Sequence, residues 1–223
     1  IVSIKIWGRR TSGRTLKVIW ALAELGLDYE LTLASATMGP NGSVAKGSVP
    51  YGIVDTPEYR TINPNGTVPT IDDDGFILWE SNSIVRYLGM KYDPERFYGN
   101  DIYLFASASR WLDFENNNLI PNQHEIERQF HRLPEDQRDR AKLKAACRQL
   151  VEEFSKIENQ LGVTEYIAAD QWTMGDIAIG LRVHRWYLFD IERPEMPNIG
   201  RYYATIKTRP AFASIADPVY HRA

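Results

Sequence analysis

Nine residues, Gly8-Arg-Arg-Thr-Ser-Gly-Arg-Thr-Leu16, gather hydroxyls and cations between a short apolar alternation and a dense apolar run. If a strand ends before them and a helix starts within them, the first amides of that helix are unpaired and carry partial positive charge. An anion held there gains roughly 0.3–1 kcal/mol, more where it is partly buried. Phosphate, carboxylate and thiolate are the three anion classes to consider. Phosphate is disfavoured, because neither G-x-x-x-x-G-K-[ST] nor G-x-G-x-x-G occurs in this stretch. The hydroxyls and cations of the stretch could act on such an anion, and the plainer reading is that Thr11 to Thr15 merely cap a helix.

Two further stretches carry binding chemistry. Val68-Pro69 opens a strand, and a proline there donates no amide hydrogen, leaving neighbouring backbone free to bond a peptide instead of a strand. The plainer reading is a strand-edge proline. In Trp79-Glu-Ser-Asn-Ser-Ile-Val-Arg-Tyr-Leu88, Ser81 suits a helix N-cap and Glu80 offers an acid to a ligand's ammonium, while the amides of the same turn can hold a carboxylate. Other chemistries lack their residues. There is no C-x-x-C at Thr11 to Arg14 and no G-x-S-x-G elbow, and His124, His131, His184 and His221 form no i, i+4 pair with ligand companions. No metal is expected. Cys147 falls on an apolar helical stripe and reads as a small core residue.

The elements that position these residues can be read from periodicity. Val2, Ile4 and Ile6 alternate as a strand, Val18 to Leu25 is a helix ended by Gly26, and Leu27 to Leu33 alternates again. Asp55-Thr-Pro-Glu58 starts a helix with a hydroxyl cap and a first-turn proline. Thr67 to Ile71 and Phe76 to Leu78 flank the hairpin signal Asp72-Asp-Asp-Gly75, and Ile84, Val85 and Leu88 then recur at helical spacing. The order is βαβαββα. Between Ala34 and Gly52 a Gly, Ser and Pro-rich stretch has neither period and is expected to form a long surface loop. Tyr92 to Gly99 is polar and turn-forming, and the chain beyond Gly99 reads as helical throughout. Domains are therefore expected at 1–88 and 100–223, with a linker at 89–99. Leu143, Ala146, Cys147, Leu150, Val151, Phe154, Ile157 and Leu161 form one buried stripe, and Thr173-Met-Gly-Asp176 is a capping box bracketed by Trp172 and Ile177.

The chain has 223 residues, 43% apolar and 25% charged, with a formal charge of −3. A general affinity for nucleic acid is not expected at that charge. No segment holds the roughly 18 to 20 uninterrupted apolar residues of a membrane span, the opening residues read as a strand and not a signal, and one cysteine precludes an internal disulfide. A cytoplasmic location is expected.

Taken together, Asn63-Pro-Asn-Gly-Thr-Val-Pro-Thr-Ile71 through Trp79 to Leu88 resembles the glutathione-site signature of the glutathione transferase superfamily. The order βαβαββα is similar to that family's thioredoxin-like domain, and Ala168 to Ile177 resembles its helical-domain capping motif. The resemblance implies an α/β thioredoxin-like domain followed by an all-helical bundle, in a homodimer that uses glutathione as co-substrate. It implies that Val68 bonds the cysteinyl backbone of glutathione with Pro69 cis, that Glu80 and Ser81 hold the γ-glutamyl end, and that Thr67 lies beside the peptide. Ser12 falls at the catalytic hydroxyl of the serine-type branches, with Thr11 one register away. Bacterial relatives with a similar Gly-Arg-Arg opening usually have asparagine where this chain has Arg14, and a guanidinium near a thiolate favours the charged form.

The acceptor side is expected on the helical domain. Trp111, Glu115 and Asn118 share one helical face, and Arg182, Arg185 and Trp186 another. The implied activity is transfer of glutathione to a hydrophobic electrophile or its use in peroxide or disulfide reduction. The alternative is a non-catalytic ligand-binding or interaction module of the same fold.

Overall fold

The computed structural model describes residues 4–35 and 52–221. Ile4 and Ile6 point to one side of β1 (Ile4–Gly8) and are fully buried, while Trp7 faces the other side, as the period of two requires. Ser12 caps α1 (Gly13–Leu25), and Gly26 closes it in the left-handed conformation at φ 66°, where a side chain would be strained. β2 (Tyr29–Leu33) then pairs parallel to β1, with Ile4 opposite Tyr29. Thr56 caps α2 (Pro57–Ile62) with Pro57 in its first turn. β3 (Thr70–Asp73) returns antiparallel to β1, and β4 (Phe76–Trp79) antiparallel to β3. Asp74 and Gly75 both have positive φ in the two-residue turn between them, which suits the twist of a tight hairpin. α3 (Ser81–Tyr92) completes the βαβαββα order around a sheet of order β2-β1-β3-β4.

α1 and α3 cover one face of the sheet, where Ile4, Ile6 and Ile71 meet Leu16, Ile19, Ile84 and Val85 in one core. The other face has a smaller cluster of Ala34, Val54 and Tyr59, with Trp7 and Val68 against it. Stretch 89–99, expected as a linker, holds the last turn of α3 and a short helix α4 (Pro94–Tyr98) capped by Asp93. The expected loop from Ala34 to Gly52 lies largely outside the described residues. Its ends are stitched to β1, since Ala34 N–H donates to Gly8 C=O at 3.0 Å and Val54 N–H to Ala34 C=O at 3.0 Å.

The remaining chain is helical. α5 (Ile102–Phe114) passes through a π-helical turn, Glu115–Leu119, into α6 (Ile120–Glu127), and a second π-helical turn, Arg128–Arg132, ends the run. α7 (Arg140–Leu161) buries Ala146, Leu150, Phe154, Ile157 and Leu161 along the expected stripe. Cys147 lies at its margin, half-buried, and lines an open groove of about 930 Å³ with Phe130, Leu143, Val151 and Ile191. Burial there raises the thiol's pKa, so the cysteine rests as a neutral thiol. α8 (Met174–Leu188) starts on the capping box of Thr173 and Asp176 and is buried along almost its whole length, and α9 (Pro197–Lys207) packs beside it.

The two halves meet on α1. Trp20 is fully buried against Trp172 and Phe212, at ring separations of 5.5 and 5.6 Å. Arg209 grips Glu24 through two hydrogen bonds of 2.8 and 2.7 Å. Among the described residues no helix is long and apolar enough to cross a membrane.

Candidate functional site

The site grows from the first turn of α1. Ser12 has extended backbone, and its Oγ accepts from Thr15 N–H at 3.3 Å, which makes it the cap. A hydroxyl that accepts in this way keeps its own hydrogen to donate, and no acceptor for it is present among the described residues. Capping and ligand binding are thus compatible in one side chain. Thr11 Oγ1 is buried beside it without a hydrogen-bond partner. Arg14 makes no hydrogen bond or ion pair among the described residues. Burial lowers its pKa, helped by Arg182 and opposed by Glu115, Glu80 and Glu127, but a guanidinium stays charged.

Across from this turn lies backbone without a strand partner. The Val68–Pro69 bond is cis, and β3 begins only at Thr70, so Val68 N–H and C=O have no partner among the described residues. The turn is held from behind. Tyr59 Oη donates to Thr67 C=O at 2.7 Å, Asn63 Nδ2 donates to the same oxygen at 3.0 Å, and Asn63 Nδ2 and Tyr59 Oη both meet Thr70 Oγ1, at 2.9 and 2.7 Å. Glu80 precedes α3 at φ 69°, an uncommon conformation for a non-glycine residue, and Ser81 begins the helix.

These pieces line two adjoining cavities. One, of about 290 Å³, is bounded by Arg14, Asn65, Thr67, Val68, Pro69, Glu80 and Ser81. The other, of about 180 Å³, is bounded by Thr11, Ser12, Arg14, Thr67 and Val68 on one side and by His124, Glu127, Arg132 and Arg185 on the other. Arg14, Thr67 and Val68 belong to both. Gly13 lies where Arg185 crosses the start of α1: a Cβ on it would sit 2.8 Å from Arg185 Cζ, so any larger residue would push the guanidinium aside.

Of the residues expected on the acceptor side, Arg185 alone lines these cavities; it pairs with Glu127 and donates to His221 Nδ1 at 3.0 Å. The rest lie elsewhere. Glu115 is fully buried, accepting from Lys17 Nζ at 2.7 Å, Asn82 Nδ2 at 3.1 Å and Arg182 Nε at 2.5 Å, so Glu115 and Arg182 join the domains instead of lining a pocket. Asn118 donates to Glu153 at 3.1 Å. The π-helical turn is the physical reason: it breaks the three-and-four spacing on which the shared face of Trp111, Glu115 and Asn118 depended. Trp111 is buried against Phe114, and Trp186 stacks on Phe154 at 3.8 Å in the core. Arg9, His124, Glu127 and Arg132 were not foreseen at the site. The signal available was the charged residues around the end of α6, where His124 and Glu127 stand three apart.

The electrostatics are firmly set. Burial alone would raise Glu127, but Arg185, His124, Arg132 and Arg182 hold it down at about 2. Burial pushes His124 down to about 4, against the pull of Glu127, so its ring is neutral at pH 7. Glu115 is likewise held at about 2, with Lys17 and Arg182 overcoming the cost of burial.

A thioredoxin-like sheet with a cis-proline turn facing a capped helix start, closed by an all-helical domain, defines the class of two-domain thioredoxin-like proteins. Comparison with known proteins narrows it. The family model "Glutathione S-transferase, N-terminal domain" matches residues 11–90. The chain is 31% identical to glutathione S-transferase GstB of Escherichia coli (strain K12), covering 95% of this chain and 97% of that protein. It is 27% identical to glutathione S-transferase 3 of Zea mays, covering 94% and 91%. The crystal structure of a theta class glutathione S-transferase of Xanthomonas axonopodis pv. citri with glutathione bound superposes with a TM-score of 0.85, at 33% identity, covering 97% of this chain and 99% of that one. The chain belongs to the glutathione S-transferase family.

Proposed function

We propose that this protein binds glutathione across the two adjoining cavities and transfers it, through its thiolate, to an electrophile. The observation that carries the reading is the unpaired main chain of Val68 opening on the same space as the uncommitted hydroxyl of Ser12. Val68 N–H and C=O bond the cysteinyl backbone as an added strand would. Glu80 takes the γ-glutamyl ammonium, and the Ser81 turn takes its carboxylate. The sulfur then lies at the start of α1, where Ser12 donates to it, with Thr11 beside it and Arg14 supplying positive charge. Lowering the thiol by about two units from its free value near 8.5 requires about 2.7 kcal/mol of preference for the thiolate, within reach of a hydroxyl, a helix end and a cation acting jointly. In the transfer step the thiolate's electron pair forms the C–S bond and the leaving group departs with the pair of the bond that breaks. The proton lost on ionisation goes to solvent.

In the same reading residues 1–88 form the glutathione domain, 100–223 supply the far wall, and two copies associate, as the family likeness implies; a monomer mass in light scattering would count against that last element. The central test is Ser12→Ala. Turnover should fall about 10- to 100-fold while glutathione affinity by calorimetry changes little, because the hydroxyl acts on the reacting atom. Unchanged turnover would exclude Ser12 as the thiolate's donor. Glutathione binding without transfer to any electrophile would leave a binding module of the same fold.

A further inference from the structure

Ligand pockets are usually lined by apolar and aromatic side chains with a few polar groups among them. The cavity beside Ser12 is built the other way. Among the described residues its lining holds four arginines, Arg9, Arg14, Arg132 and Arg185, and Val68 is the only sizeable hydrophobic side chain there. Glu127 is the single carboxylate among those described residues, engaged with Arg185 and, at 3.3 Å, with Arg132. His124 contributes no charge at pH 7. Four positive charges against one negative leave this small space strongly cationic in a chain whose formal net charge is −3. The segment 36–51 offers no compensation, since it contains no Asp or Glu.

Within the proposed binding mode the glutamyl end of glutathione lies toward Glu80 and Ser81, in the other cavity, and what extends past the sulfur into the arginine-lined space is the group being attached. A neutral apolar acceptor would leave the guanidinium of Arg14, which has no hydrogen-bond partner among the described residues, desolvated with nothing to bond. A carboxylate would accept from Arg14 in charge-assisted, bidentate geometry, and Thr11 Oγ1 at the same place is a buried hydroxyl with no partner among the described residues. We infer that the acceptor substrate is a small electrophile bearing a carboxylate, held by Arg14 with Arg132 and Arg185 so that its reactive carbon meets the sulfur. The notion of a hydrophobic electrophile is replaced by that of an organic anion. The covalent step stays as described: the C–S bond forms, the leaving group takes its electron pair, and the carboxylate is untouched. This inference rests on the glutathione reading above.

The experiment compares three ligands by calorimetry: glutathione, S-(carboxymethyl)glutathione and S-(carbamoylmethyl)glutathione. The last two are nearly isosteric, share every glutathione group including the glycyl carboxylate, and differ in charge beyond the sulfur. The carboxymethyl compound should bind about tenfold or more tightly than the carbamoyl one. The ratio should shrink with added salt and fall below about threefold in Arg14→Gln. Taking the ratio within one variant cancels any effect of Arg14 on the peptide portion, and circular dichroism verifies that the variant is folded. Equal binding of the two compounds, as expected if the arginines instead hold the glycyl carboxylate, would overturn this inference and leave the glutathione reading standing. Absence of binding by all three to folded protein would remove both.

Discussion

Tyr59 touches no expected ligand atom, yet its hydroxyl meets both Thr67 C=O and Thr70 Oγ1 at 2.7 Å and so fixes the strand entrance on which Val68 lies. In Tyr59→Phe the half-buried carbonyl keeps only Asn63 as donor, and stability should drop by about 1 kcal/mol. Glutathione affinity should fall several-fold with little change in turnover at saturation, since the peptide is misplaced and the sulfur's surroundings are intact. Calorimetry beside steady-state kinetics checks this, and an unaltered affinity would mean that Asn63 alone suffices. At this scale the sequence was most informative where chemistry and local backbone coincide: Ser12, Val68, Pro69, Glu80 and Ser81 line or flank the two cavities. It was least informative for Tyr59, His124 and Arg132, whose importance comes from approach in space between positions distant along the chain.

Among the elements, the helix starts were the most legible, because a cap is a local signal of four or five residues. Thr173 shows how much such a signal can hold. Its Oγ1 accepts from Gly175 N–H at 3.2 Å, while Asp176 accepts from Thr173 N–H at 2.8 Å, Ile167 N–H at 2.9 Å and Tyr202 Oη at 3.1 Å. Replacing Thr173 by Ala should cost about 1 kcal/mol, up to about 2 since the cap is fully buried, with glutathione affinity unchanged; urea unfolding measures the first and calorimetry the second. The π-helical turn at Glu115–Leu119 was not legible, as its extra residue leaves no mark in apolar spacing and shows only once Glu115 meets Lys17. Short α4 was hidden for a different reason. Its polar, proline-started sequence suits a turn as well as a single helical turn or two, and burial of Phe97 and Tyr98 settles the matter.

At the scale of the molecule the two halves are joined by charge as well as by apolar packing. Lys17 from α1, Asn82 from α3, Glu115 from the π-helical turn and Arg182 from α8 meet in one buried cluster. Removing one member of a buried pair leaves the other uncompensated, so Glu115→Ala should destabilise by about 3–5 kcal/mol in chemical unfolding. The pH dependence has a definite sign. Glu115 and Glu127 are held at about 2 against an ordinary 4.5, so the unfolded chain binds their protons first as the solution is acidified. Their contribution is complete above about pH 4.5 and is lost progressively toward pH 2. Melting temperature should fall across that window, and less steeply in Glu115→Gln; a parallel slope in the variant would assign acid lability elsewhere.

The thirteen residues of α1 serve three masters in succession. Its first turn faces the two cavities, Lys17 engages the charged cluster one turn on, and Trp20 and Glu24 hold Trp172 and Arg209 beyond that. A chain cut after Gly99 would take Trp172 and Arg209 from Trp20 and Glu24 and leave Lys17 with Asn82 but without Glu115. Such a fragment would bare an indole, an ammonium and a carboxylate to water along a surface shaped for protein. The space beside Ser12 is thus enclosed only by the longer polypeptide, since His124, Glu127, Arg132 and Arg185 form its opposite side.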